Sequence, residues 1–152
     1  MLLHLATKHY PLNTSQYRVK ALQRYVESLN AQENIDFSKI QLIFVDQGDC
    51  KEAFKNLNSQ IDFKYIKYKP SSLSHARNVG LAYVKGKFVS FPDDDCWYEK
   101  DTLSKVLVKL NSHDGVLIKA TNEHGIPLAK YPHHNHIASL YNHCSACSNC
   151  IF

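Results

Sequence analysis

The run Leu73-Ser74-His75-Ala76-Arg77-Asn78-Val79-Gly80-Leu81-Ala82, followed shortly by Gly86-Lys87-Phe88-Val89-Ser90-Phe91-Pro92-Asp93-Asp94-Asp95, decides how the rest of the chain is read. Pro70-Ser71-Ser72 reads as a loop, and Ser74 suits the cap of a helix running toward Val84. Gly86 closes that helix, and Phe88 to Phe91 forms a short apolar strand. Three consecutive carboxylates end the strand. In an open α/β sheet, ligands bind at the carboxyl ends of strands. Adjacent carboxylates repel one another, and a divalent cation relieves that repulsion. An Asp-x-Asp pair supplies hard oxygen ligands, and Mg²⁺ or Mn²⁺ combines one or two such groups with phosphate oxygens. Alone, the triplet is more often a solvated acidic turn. A calcium loop is ruled out, because Trp97 and Tyr98 stand where such a loop needs polar ligands and glycine.

On both sides of this block, strands and helices alternate as in a mostly parallel sheet with crossover helices. Leu2 to Thr7 is short and apolar enough for a buried strand. Val19, Leu22, Val26 and Leu29 recur at helical spacing, which predicts a helix from about Ser15. Gln41 to Val45 reads as a second strand, ending at Asp46-Gln47-Gly48-Asp49, and Lys51 to Leu57 as a short helix. Phe63 to Lys67 alternates like a third strand near an edge. Leu103, Val106, Leu107 and Leu110 mark one face of a helix over 100–110, and Gly115 to Ala120 a fifth strand. Beyond it the pattern weakens into a turn around Asn122 to Gly125 and a loop rich in Pro and His.

The 152 residues are expected to form a single domain. With 44% hydrophobic and 21% charged residues, the chain belongs among ordinary globular proteins, not disordered ones. Lys and Arg exceed Asp and Glu by 18 to 14, a net charge of +4. That excess suits a phosphate-bearing ligand or a peripheral contact with an anionic membrane, and is too scattered for nucleic acid. The apolar start at Met1 to Ala6 is too short for a signal peptide, and no segment approaches a membrane span. A cytoplasmic protein with five reduced cysteines is the expectation.

The central block resembles the signature of family 2 inverting glycosyltransferases: an Ala-Arg-Asn-x-Gly helix, an Ala-x-Gly turn and an apolar strand ending in Asp-x-Asp. Further matches are Ala6-Thr7 at the first strand end, Ser28-Leu29-Asn30-Ala31-Gln32 after the first helix, and Val45-Asp46-Gln47-Gly48-Asp49 against Val-Asp-Asp-Gly-Ser. The resemblance implies a GT-A fold, a Rossmann-like three-layer sandwich, here truncated at its C-terminus. It also implies a nucleotide-diphosphate sugar as donor, a polysaccharide or lipid-linked acceptor, and Mg²⁺ or Mn²⁺ as cofactor.

Carried over by position, Ala6, Thr7 and Asp46 would line the base and ribose site. Gln47 replaces the commoner Asp, and its amide can pair with a nucleobase edge. Arg77 would face the diphosphate, where a forked guanidinium suits phosphate oxygens. Asn78 and Gly80 would serve helix packing. Asp93 would reach the ribose or the metal and Asp95 would be the principal metal ligand. Asp94 is counted with the nucleotide-sugar-binding residues but is the weakest of the three, because on an extended backbone it projects to the opposite face. Cys96 reads as a small packing residue, and Trp97 and Tyr98 as walls of a sugar pocket or as core. The tail offers a competing reading. His133, His134, His136 and His143 precede Cys144-x-x-Cys147-x-x-Cys150, ligand types that can bind zinc. Zinc sites usually add a second close pair, which is lacking here, and relatives carry a strand of small residues at Cys147 to Phe152.

Displacement at an anomeric carbon needs a base for the acceptor hydroxyl. The family's carboxylate for this task comes later than Phe152, and Glu123 is the only acid after Asp114. The reading therefore divides between a transferase, or its donor-binding portion, and a non-catalytic nucleotide-sugar-binding fragment. A strand cut near Phe152 would leave an apolar edge that favours dimerisation. The 152-residue chain is expected to bind donor without transferring sugar at enzymatic rates. Incubation with labelled nucleotide sugars and lipid-linked acceptors checks this. Transfer abolished by Glu123→Gln would place the base inside the chain.

Overall fold

The computed structural model describes residues 2–8, 15–93, 96–121, 137–143 and 150–151, with side chains for 17–93 and 96–118. Strand β1 (Leu2–Lys8) leads to helix α1 (Ser15–Asn30), then β2 (Ile40–Asp46) and β3 (Asp62–Lys67). Helix α2 (Leu73–Leu81), β4 (Phe88–Ser90), α3 (Thr102–Leu110) and β5 (Gly115–Thr121) follow. Last come β6 (Ile137–His143) and β7 (Cys150–Ile151). The expected helix after Lys51 is only a 3₁₀ turn, Lys51–Phe54.

Four parallel strands form the first sheet in the order β3-β2-β1-β4. The chain proceeds outward from β1 to β3, then crosses to the other side of β1 for β4. This reversal is the topological switch at which open α/β sheets bind ligands. Pro92 follows β4 closely, and lacking an N–H it cannot extend the ladder. The second sheet has the order β6-β5-β7, with β5 parallel to β6 and antiparallel to β7. The alternating pattern had indicated no strand at β6.

Every residue of β2 is buried, which explains its apolar run Leu42 to Val45. Leu42 and Phe44 enter a core with Leu22, Tyr25, Val26 and Leu29 of α1. Leu103, Val106 and Leu110 of α3 and Val116 and Ile118 of β5 belong to the same core. Ile43 enters a second cluster with Ile66, Val84, Val89 and Phe91. The sheet is therefore covered on both faces, as a three-layer sandwich requires. On α2 the buried residues are Ala76 and Gly80, one turn apart. Such small side chains let the helix backbone approach β1 and β2 closely. Asn78 is exposed and has no packing role.

The Ser-Leu-x-x-Gln motif is the last turn of α1 and the residues just after it, and its work is structural. The buried Gln32 amide donates to the carbonyls of Ser28 (3.0 Å) and Glu99 (2.7 Å) and accepts from the Leu103 N–H (2.9 Å). Asn30 likewise bridges the Asn56 carbonyl and the Asn58 N–H. Cys96 is buried and disulfide-bonded, which corrects the expectation of five reduced thiols.

Gln32→Leu keeps the volume but strands two carbonyls and an N–H. It should destabilise the fold by about 2–4 kcal/mol, read from the urea midpoint. A loss under about 0.5 kcal/mol, typical of a surface change, would contradict the bridge.

Candidate functional site

The carboxyl edge of the first sheet is organised around Asp46, the last residue of β2. Its carboxylate is 3% exposed. Oδ1 accepts the Gly48 N–H at 2.8 Å, and Oδ2 accepts the Cys50 N–H at 2.8 Å together with the Tyr65 hydroxyl. Lys67 Nζ lies 3.8 Å from Oδ2 and 3.6 Å from Asp49, and it also donates to the Gly48 carbonyl. The side chain thus folds its own turn, a habit of Asp at strand ends. Burial, and then the bond to Asp46, raise the Tyr65 phenol above its ordinary value of 10.0.

The next residue faces the β3–α2 loop. Gln47 Nε2 donates to Ser71 Oγ and its Oε1 accepts the Ser71 N–H, both at 3.1 Å. Ser72, not Ser74, caps α2: its backbone is extended (φ −61°, ψ 154°) and its hydroxyl accepts the His75 N–H at 3.3 Å. Arg77 stands one turn into α2. One guanidinium nitrogen lies 3.8 Å from Asp93 Oδ1, and the group sits 5.4 Å from the Phe91 ring centre. Arg77 Nε and Ser90 Oγ are buried without a partner among the described residues.

Register brings Ala6 opposite Phe44 and Thr7 opposite Val45, so the β1 and β2 ends adjoin. The fold therefore places Ala6, Thr7, Asp46, Gln47, Arg77 and Asp93 along one edge of the sheet. Asp94 and Asp95 lie outside the described residues, as do Glu123, His133, His134, His136, Cys144 and Cys147 of the tail. Tyr98 is core, tilted against Tyr25 with ring centres 6.0 Å apart. Trp97 is partly buried beneath the Arg24 guanidinium, 3.3 Å from its ring centre. Neither Tyr65, Lys67 nor Ser71 stood out as a site residue. The alternation Phe63-Tyr65-Lys67, which gives those residues one face of β3, was the available signal.

A parallel sheet with a polar carboxyl edge at its switch point defines an open α/β fold of the ligand-binding, doubly wound class. Solved structures narrow it. Staphylococcus aureus TarS superposes with a TM-score of 0.65 at 20% identity, over 86% of this chain and 23% of that one. TarS 1-349 in complex with UDP-GlcNAc gives 0.64 at 21%, over 85% and 37%. The shared architecture is the GT-A fold. In sequence, the model for glycosyl transferase family 2 matches residues 16–146, and the chain belongs to that family. Glycosyltransferase GlyA of Streptococcus pneumoniae is 32% identical over 49% of this chain. The minor teichoic acid biosynthesis protein GgaB of Bacillus subtilis is 29% identical over 66%. The chain spans 11% of the length of each of these two relatives.

A phenol with a raised pKa stabilises the fold while protonated. That contribution is complete below the unfolded value near 10 and is lost as pH rises toward the folded value. Tyr65 should therefore ionise later than a solvent-exposed tyrosine, together with alkaline unfolding. Tyr65→Phe should remove that late step from the absorbance titration. A profile identical to wild type would contradict the bond to Asp46.

Proposed function

We propose that the chain is the donor-binding portion of a glycosyltransferase, acting as one unit over residues 1–152. In this reading the edge formed by Thr7, Arg77 and Asp93, with Asp46 as its support, holds a nucleoside-diphosphate sugar, and transfer to a polysaccharide or lipid-linked acceptor inverts the anomeric centre. The observation that carries it is the Arg77–Asp93 pair beyond β4. At 3.8 Å it is longer than the roughly 2.7–2.9 Å of a charge-assisted hydrogen bond, so the guanidinium retains donors for diphosphate oxygens. Family membership supports the sugar-transfer chemistry. Because solved TarS complexes contain UDP and UDP-GlcNAc, a uridine nucleotide is the first donor to test.

Asp93 is one-third exposed at the strand end, and its carboxylate is the hard oxygen donor that Mg²⁺ or Mn²⁺ prefers. Among the described residues no three metal-ligating side chains converge. In the proposed site a cation would be held by Asp93, Asp95 and the donor's own phosphates, and would neutralise the diphosphate as it leaves. Arg77 would bind and orient the same oxygens, and the α2 cap would keep it facing them. The proposed location is the cytoplasm, including the inner membrane face, which the net charge of +4 and a lipid-linked acceptor support.

Calorimetric titration with UDP and GDP, each with Mn²⁺ and with chelator, tests this reading. Mn²⁺ should tighten binding by about tenfold or more, and Arg77→Ala should cost about 1.5–3 kcal/mol, as for a hydrogen bond to a charged group. Binding indifferent to chelator and unchanged in Asp95→Ala would defeat the metal assignment. Full affinity in Arg77→Ala would defeat the placement of the diphosphate.

A further inference from the structure

We propose that Gln47 does not read the nucleobase but is a positioning residue, acting through Ser71 to set the start of α2 and hence Arg77. The inference rests on the proposed donor site. A primary amide has one edge that presents a donor and an acceptor side by side, the edge that could pair with a base. In this structure that edge is taken by a single residue: Nε2 donates to Ser71 Oγ and Oε1 accepts the Ser71 N–H, each at 3.1 Å. Two parallel bonds to one partner fix the plane of the amide as well as its place.

What Ser71 carries is the entrance to the helix. The loop from β3 is joined to the end of β2 at two successive residues. The Tyr68 N–H donates to the Asp46 carbonyl at 2.8 Å, and Ser71 closes on Gln47. Ser72 immediately caps α2, receiving the His75 N–H on its hydroxyl and the Ala76 N–H (3.0 Å) on its carbonyl. Tyr68 Oη and His75 Nε2, 2.9 Å apart, tie the loop to the first turn from outside. Arg77 lies five residues after the cap. A helix turns about 100° per residue, so an unfastened cap changes the direction of Arg77 relative to Asp93 as well as its distance. Ser71 is partly buried whereas Ser72 and Leu73 are exposed, so Gln47 supplies the inward anchor at this point.

The test uses Gln47→Met, which keeps length and removes both bonds, Ser71→Ala, which removes one, and the double variant. Amide hydrogen exchange over residues 71–77 is measured in the chain without nucleotide. Dissociation constants for UDP and GDP are measured well below the melting temperature of each variant. Exchange should accelerate in Gln47→Met. Both diphosphates should weaken by the same factor, about tenfold for two lost hydrogen bonds. Ser71→Ala should have a smaller effect, and the double variant should be no weaker than Gln47→Met, since both changes sever one connection. A changed UDP-to-GDP ratio in Gln47→Met would overturn the proposal in favour of a base contact, as would additive losses in the double variant. Unchanged exchange would overturn it by showing that the clip does not hold the helix. Wild-type protein that binds neither diphosphate, with exchange still accelerated in Gln47→Met, would reject the donor site and keep the clip as the anchor of α2.

Discussion

A carboxylate removed from water persists only where donors replace its hydration, and Asp46 is such a group. Its donors come from its own turn, through Gly48 and Cys50, and from β3, through Tyr65, while the Lys67 ammonium balances its charge from 3.8 Å. Its backbone carbonyl receives Tyr68, the first residue beyond β3. The end of β2, the turn after it, the end of β3 and the approach to α2 therefore share one reference point. Loss of the carboxylate would leave two backbone donors and a phenol to be satisfied together.

That arrangement divides the carboxyl edge into groups that hold the chain and groups left more open. Asp46 and Gln47 spend their bonding capacity on holding the chain, while Arg77 and Asp93 meet only loosely across the switch point. Close approach of α2 depends on Ala76 and Gly80, which bring the helix near enough for Arg77 to reach the end of β4. On the opposite flank, Gln32 ties the end of α1 to the start of α3. Each connection joins elements that are adjacent in the fold and remote in sequence.

Local pattern carried the reading a long way. The 3.6 spacing of Leu22, Val26 and Leu29 and the apolar run Leu42 to Val45 in β2 both describe burial as the structure has it. Strand β6 escaped because Ile137-Ala138-Ser139-Leu140-Tyr141-Asn142-His143 has no clear two-residue alternation, and its pairing with β5 is what makes it a strand. The cap of α2 was misplaced by two residues because two serines offer the same hydroxyl. Only the extended backbone at Ser72 selects between them.

Sequence by itself determined the order of strands and helices, the acidic strand end, the Ala-Arg-Asn-x-Gly helix and membership of the family, because all of these are written in short-range pattern. Tertiary structure alone decided which polar groups remain available to a ligand. Tyr65 reaches Asp46 across 19 positions, Ser71 reaches Gln47 across 24, and Leu103 reaches Gln32 across 71. Spacing cannot show such partners. An amide or carboxylate at a strand end looks free in sequence until the chain returns to occupy it, and the same chemistry that would bind a nucleotide then binds the protein instead.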